Sequence, residues 1–153
     1  MDAVSATSVR SDDEALVRRC WGAAVAVAAA ALLGVASWLT PAEAGLGTHE
    51  QLNMPSCLWI GMADMPCPSC GMTTAFAHAA DGHLLASFLT QPLGFLLALG
   101  TAMALLLGSF VAVTAAPVHR PLAGLVRPRT GWLVLAMALA AWGYKVLSYR
   151  GYN

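Results

Sequence analysis

A chain of 153 residues that is 58% hydrophobic and only 10% charged, with mean hydropathy +0.66, is too apolar for a water-soluble domain and belongs in a bilayer. Its eight Lys and Arg balance eight Asp and Glu, and a net charge of zero offers no footprint for nucleic acid. The length fits a single domain.

Residues 1–19 open the chain as a cytoplasmic tail. Its first 17 residues, with several Ser and with Asp12, Asp13 and Glu14, read as mobile. Residues 20–149 form the membrane domain. Crossing hydrocarbon takes roughly 20 apolar residues at about 1.5 Å of rise each. Three stretches qualify, at 21–39, 93–116 and 132–148.

The first of these also resembles a signal peptide, with Arg18 and Arg19 ahead of an apolar core and Ala42-Glu43-Ala44 before Gly45. Its apolar run exceeds the usual signal core of about 7 to 15 residues, so a retained span is expected. The paired arginines alone are a weak twin-arginine signal.

Residues 41–91 separate the first and second spans. From Pro41 to Pro66 the turn residues Gly45, Gly47, Asn53, Pro55 and Gly61 predict an irregular loop. A helix is expected from Cys70, capped by Ser69 and stopped at Asp81-Gly82. A second short apolar piece, Leu84 to Thr90, leads to Pro92, which suits the first turn of the second span. Pro117 and Pro121 end that span, and a short basic loop follows.

Basic residues set the orientation. Arg10, Arg18 and Arg19 precede the first span, Arg120, Arg127 and Arg129 lie between the second and third, and no Lys or Arg occurs from Trp21 to His119. The positive-inside rule then puts the N-terminus in the cytoplasm and 41–91 outside. Lys145 and Arg150, at the end of the chain, run against that rule. Lys145 is also the one charged residue expected within a span, which argues against an ion or proton relay. Small residues at Gly22, Ala26, Ala30 and Gly34, and at Gly100, Ala104, Gly108 and Ala112, are spaced for close helix approach, within the chain or between copies.

What chemistry the chain carries lies in its cysteines. Cys20 sits at the edge of the first span, where it reads as a small apolar residue with acylation as the alternative. Cys57, Cys67 and Cys70 fall within fourteen residues of one another. No phosphate-cradling glycine loop, Ser-His-Asp set or pair of intramembrane carboxylates accompanies them. His78, His83 and His119 need no special role.

Three readings of the cluster stay open. A Cys-Pro-x-Cys-Gly turn resembles a zinc knuckle, with Cys57 as third ligand and His49 or His83 folding back as a fourth; the nearby Met54, Met62, Met65 and Met72 would suit copper. His78, eight residues beyond Cys70 on one helix, is about 12 Å away by rise and a poor ligand. Alternatively Cys67 and Cys70 form a redox dithiol at a helix start, although the nearby charges, Glu43, Glu50, Asp64 and Asp81, include no cation to favour a thiolate. Finally, Cys57 bonded to Cys67 or Cys70 would staple the loop, worth roughly 3 kcal/mol in the chain-entropy model.

Cys57, the run Cys67-Pro68-Ser69-Cys70-Gly71-Met72-Thr73, and then Ala75, Phe76, Gly82 and Gln91-Pro92 together resemble the bacterial membrane proteins grouped as domain of unknown function 2752. Motif positions carried over are Pro68, Gly71, Thr73 and Pro92. Two residues depart from the family pattern: Thr74 stands where members often have Arg, and Gln91 where they have Asn. The resemblance implies a small helical membrane protein and brings no established activity; the expected location is the bacterial inner membrane.

The expected protein is therefore all-α and integral to the membrane, with three transmembrane helices and a short helical Cys-containing segment between the first and second. Its expected role is a non-enzymatic membrane component whose cluster is a disulfide staple or a zinc or copper site. The competing reading is a thiol-disulfide oxidoreductase using Cys67 and Cys70. Expected partners are the lipid bilayer and a membrane protein or a second copy.

Overall fold

The computed structural model describes residues 2–55, 57–63, 65–117 and 128–152. Asp64, His119, Arg120, Pro121 and Arg127, which entered the sequence reading, lie outside them. Regular structure in the described residues is helical throughout: α1 Asp2–Trp38, a 3-10 turn Thr48–Leu52, α2 Leu58–Ala63, α3 Met72–Ala80, α4 Leu84–Thr90, α5 Pro92–Thr114 and α6 Pro128–Tyr152. Three helices are long and apolar enough to cross a membrane, over Asp13–Trp38, Pro92–Thr114 and Arg129–Arg150.

Residues 2–17, read from the sequence as a mobile tail, form the first turns of α1. No Gly or Pro interrupts the chain before Gly22, and Glu14 and Arg18 pair at 3.6 Å one helical turn apart. The second span starts at Pro92 as expected, and ends at Thr114, three residues ahead of Pro117. Ala115 closes it in the left-handed region (φ 56°), its N–H reaching the Val111 carbonyl at 2.8 Å.

The chain divides into two compact units. One holds α1 up to Leu32 and α5 from Thr101. Here the two helices touch backbone to backbone. A Cβ on Gly22 would stand 2.7 Å from the Ala112 nitrogen and 2.8 Å from the Gly108 oxygen, and one on Gly108 would stand 2.9 Å from both Ala26 N and Gly22 O. Hydrocarbon offers no hydrophobic drive between spans, so close van der Waals approach at small residues carries the contact. The expected ridges are used at Gly22, Ala26, Gly108 and Ala112. At Gly34 and Gly100, nothing lies within 4 Å of where a Cβ would be.

The other unit holds Leu33 to Gly100 and α6. Its centre is the α3–α4 hairpin. Asp81 caps α3, Gly82 takes φ 80°, and the bonds from His83 N to His78 O (2.8 Å) and from Gly82 N to Ala79 O (3.1 Å) make a Schellman stop. Ser87, buried, donates to the Ala75 carbonyl at 2.6 Å and locks the two helices together. A Cβ on Gly94 would meet that of Ala75 at 2.9 Å, so the glycine lets α5 start directly against α3.

The loop from Thr40 to Leu52 is held by side chains. Gln51 brackets Thr40, donating to its oxygen at 2.6 Å and accepting from its nitrogen at 3.1 Å. Thr48 accepts from the Ala42 N–H at 3.0 Å and meets the Thr74 hydroxyl at 2.8 Å. Thr48 and Thr74 are both buried. Thr74 is thus a structural hydroxyl that ties the loop to α3.

Candidate functional site

Cys67 and Cys70 are brought together by a tight turn. The Cys70 N–H donates to the Cys67 carbonyl at 3.0 Å, with Pro68 in the position where its fixed φ favours such a turn. Gly71 then takes φ 84° and caps α3. This corrects the expected start: α3 begins at Met72, and Ser69 does not cap it, because its hydroxyl lies 3.2 Å from the Cys67 sulfur instead. A side chain at 71 would be strained by the positive φ and would also meet Gly45 O at 2.8 Å and Lys145 Nζ at 2.9 Å.

The turn is held from outside on both sides of Cys67. Trp142 Nε1 donates to the Pro66 carbonyl at 3.1 Å, and Gln91 Nε2 to the Pro68 carbonyl at 3.1 Å. Neither proline has an N–H, so these carbonyls are what the turn offers for anchoring. Gln91 is fully buried, and its Oε1 has no partner.

Cys57, just ahead of α2, completes the cluster. The Cys67 and Cys70 sulfurs are 3.1 Å apart, Cys70 and Cys57 3.3 Å, and all three lie within 4.8 Å of one another. All three are free thiols, Cys70 buried and the others half-buried. His49 is not among the converging atoms; its Nε2 is 3.2 Å from the Pro55 carbonyl. His83 is edge-on to His78, with 6.3 Å between ring centres.

The three thiols are not equivalent. Burial pushes Cys70 up to about 12, helped by its hydrogen bonds with Cys67 and Cys57. At Cys57 burial also acts upward, but hydrogen bonds from the Cys70 thiol and from the Ile60, Cys67 and Trp59 groups outweigh it and bring the thiol down to about 7. Of these two, Cys57 is therefore the sulfur that ionises first, with the Cys70 thiol as its hydrogen-bond donor.

Sequence reasoning found no cation near the thiols, and the structure supplies one. Lys145, 75 residues beyond Cys70, is buried with its ammonium donating to Gly45 O at 3.2 Å and Thr90 O at 3.0 Å. It lies against Gly71, the residue that follows Cys70, with its Nζ 2.9 Å from where a Cβ on that glycine would stand. The one signal for it was a lysine inside an apolar helix, a position that is costly unless it is paired.

Fold and site define a multi-pass α-helical membrane protein with a three-thiol cluster in the break between its first and second spans. Residues 57–112, a little over a third of the chain, match the family model described as protein of unknown function (DUF2752), which supports the resemblance seen in the cysteine motif. The matched stretch contains Cys57, Cys67 and Cys70, but not Lys145. No curated protein and no solved structure matches the chain.

Proposed function

We propose that this protein is a small, non-enzymatic component of the bacterial inner membrane, its N-terminus cytoplasmic, whose extracytoplasmic thiol cluster binds one soft metal ion, Zn2+ or Cu+. The observation that carries this reading is the convergence of three sulfurs from two separate chain segments within 4.8 Å. A Zn–S bond of about 2.3 Å puts the sulfurs of a tetrahedral shell about 3.8 Å apart. The pairs at 3.1 and 3.3 Å reach that by opening less than about 1 Å, and all three thiols are used. A disulfide, with S–S about 2.05 Å, would instead close one pair by about 1 Å and leave the third thiol out.

Three thiolates fill a trigonal Cu+ shell and leave one position of a zinc tetrahedron to water or an external ligand. The Lys145 ammonium offsets part of the negative charge that such a thiolate set carries. A thiol-exchange reading has one specific support: Cys70 lies within reach of both neighbours and could close a bond with either. In that case two thiols would lose two protons and two electrons to a disulfide on another protein, which would be reduced to a dithiol.

Metal analysis of the purified full-length protein, paired with alkylation and mass measurement, separates the readings. The expected result is one zinc or copper per chain, with Cys57, Cys67 and Cys70 protected from alkylation until a chelator is added. A metal-free protein with one reducible disulfide among these cysteines would sink the metal reading.

A further inference from the structure

The segment between the first two spans has the wrong surface for water. On α4, Leu84, Leu85, Phe88 and Leu89 are exposed by 49%, 72%, 45% and 54%, while its polar Ser87 is buried. This inverts the pattern of a water-facing helix, which turns its apolar stripe inward. No charged residue occurs from Leu84 to Ala116, and one residue, Gln91, separates α4 from the spanning helix α5. On α2, Leu58, Trp59 and Met62 are exposed as well.

The backbone of this segment is treated as if no water could reach it. Each break between helices leaves carbonyls without a helical partner. Here Gly45 O and Thr90 O receive Lys145, Leu89 O receives Tyr144 at 2.9 Å, Pro66 O receives Trp142 and Pro68 O receives Gln91. At membrane depth, irregular backbone is tolerated where protein groups satisfy it. A loop in water would have no need of five such donations.

The donors also give the depth. Trp142, Tyr144 and Lys145 precede Arg150, the end of the apolar stretch of α6, by five to eight residues. At about 1.5 Å per residue they lie about 8 to 12 Å inside that end. The carbonyls they hold lie at the same level.

We propose that α4 is embedded in the lipid, its exposed apolar face against acyl chains, with the exposed Asp81-Gly82-His83 turn directed toward the headgroups. The thiol cluster, flanked by Pro66 and Pro68, then lies at that same level, on the side where α6 ends. The lipid-facing surface of α5 continues onto α4 without an intervening charge. Lys145 is the anchor that pays for the broken backbone at this depth.

Photo-crosslinking in native membranes tests the placement without reference to any metal. With p-benzoylphenylalanine in place of Leu85 or of Phe88, the expected products are phospholipid adducts at least fivefold more abundant than from the same residue in place of Glu50, which is exposed in the 3-10 turn. Two positions are used in case one variant fails to assemble. Crosslinks from both to another protein, or lipid adducts no more frequent than at Glu50, would overturn the proposal. Because the readout is a lipid adduct, it fails or succeeds independently of whether the thiols bind metal.

Discussion

The two compact units hold themselves together in opposite ways. Where α1 meets α5, the contact is made by missing atoms: Gly22 and Gly108 let one backbone lie against the other, and shape alone decides. Around the thiol cluster, by contrast, nearly every contact that matters is polar, and the donors are large: Trp142, Tyr144, Lys145 and Gln91. The difference follows from hydrogen-bond accounting. A continuous helix satisfies its own backbone, so a neighbour needs only to fit, whereas a chain that breaks and turns has carbonyls that something else must satisfy.

That contrast can be broken most forcefully at Gly108. Gly108→Leu places a side chain where backbone atoms already stand at 2.9 Å, and should cost about 3 kcal/mol, read as a lower melting temperature in detergent. Metal content per folded chain should not change, since the thiols belong to the other unit. Lys145→Met attacks the polar unit. Leaving Gly45 O and Thr90 O without a donor should cost about 2 kcal/mol, and alkylation of the buried Cys70 should accelerate; unchanged labelling would remove Lys145 from the site.

Proton competition gives a finer test. Below about pH 7 a metal must displace protons from both Cys57 and Cys70; above it, Cys57 has already lost its own while Cys70, pushed up to about 12, has not. Zinc affinity, measured by chelator competition, should therefore rise with pH throughout, and more steeply below 7 than above. A flat profile would count against thiolate ligation. The smallest effect is expected at Gly34, a helix position with nothing within 4 Å. Gly34→Ala should raise stability by about 0.5 kcal/mol through backbone entropy alone, which separates an unused glycine from the two that are packed.

Much of this was legible before any coordinates. The spans, the short helix Leu84–Thr90, the start at Pro92 and the Asp81-Gly82 stop all follow from local rules of hydropathy, proline and glycine. Local rules misplaced the start of α3, because Ser69 looked like a cap while the positive φ of Gly71 was not visible. They also missed the helical character of residues 2–17, where Ser and acidic residues suggested a loose tail. His49 entered as a loop residue able to fold back onto the cysteines, and in the fold its Nε2 lies 3.2 Å from the Pro55 carbonyl.

The amino-acid sequence by itself determined that this is a three-span helical membrane protein with Cys57, Cys67 and Cys70 close together, because span length and cysteine spacing are properties of short stretches. Only the tertiary structure decided what surrounds those cysteines. The cation at Gly71, the indole on Pro66 and the amide on Pro68 come from residues 20 or more positions away, and no local pattern records that a lysine in the third span will close the gaps left by breaks near the first and second. The physical reason is that an unsatisfied carbonyl at membrane depth selects its donor by position in space.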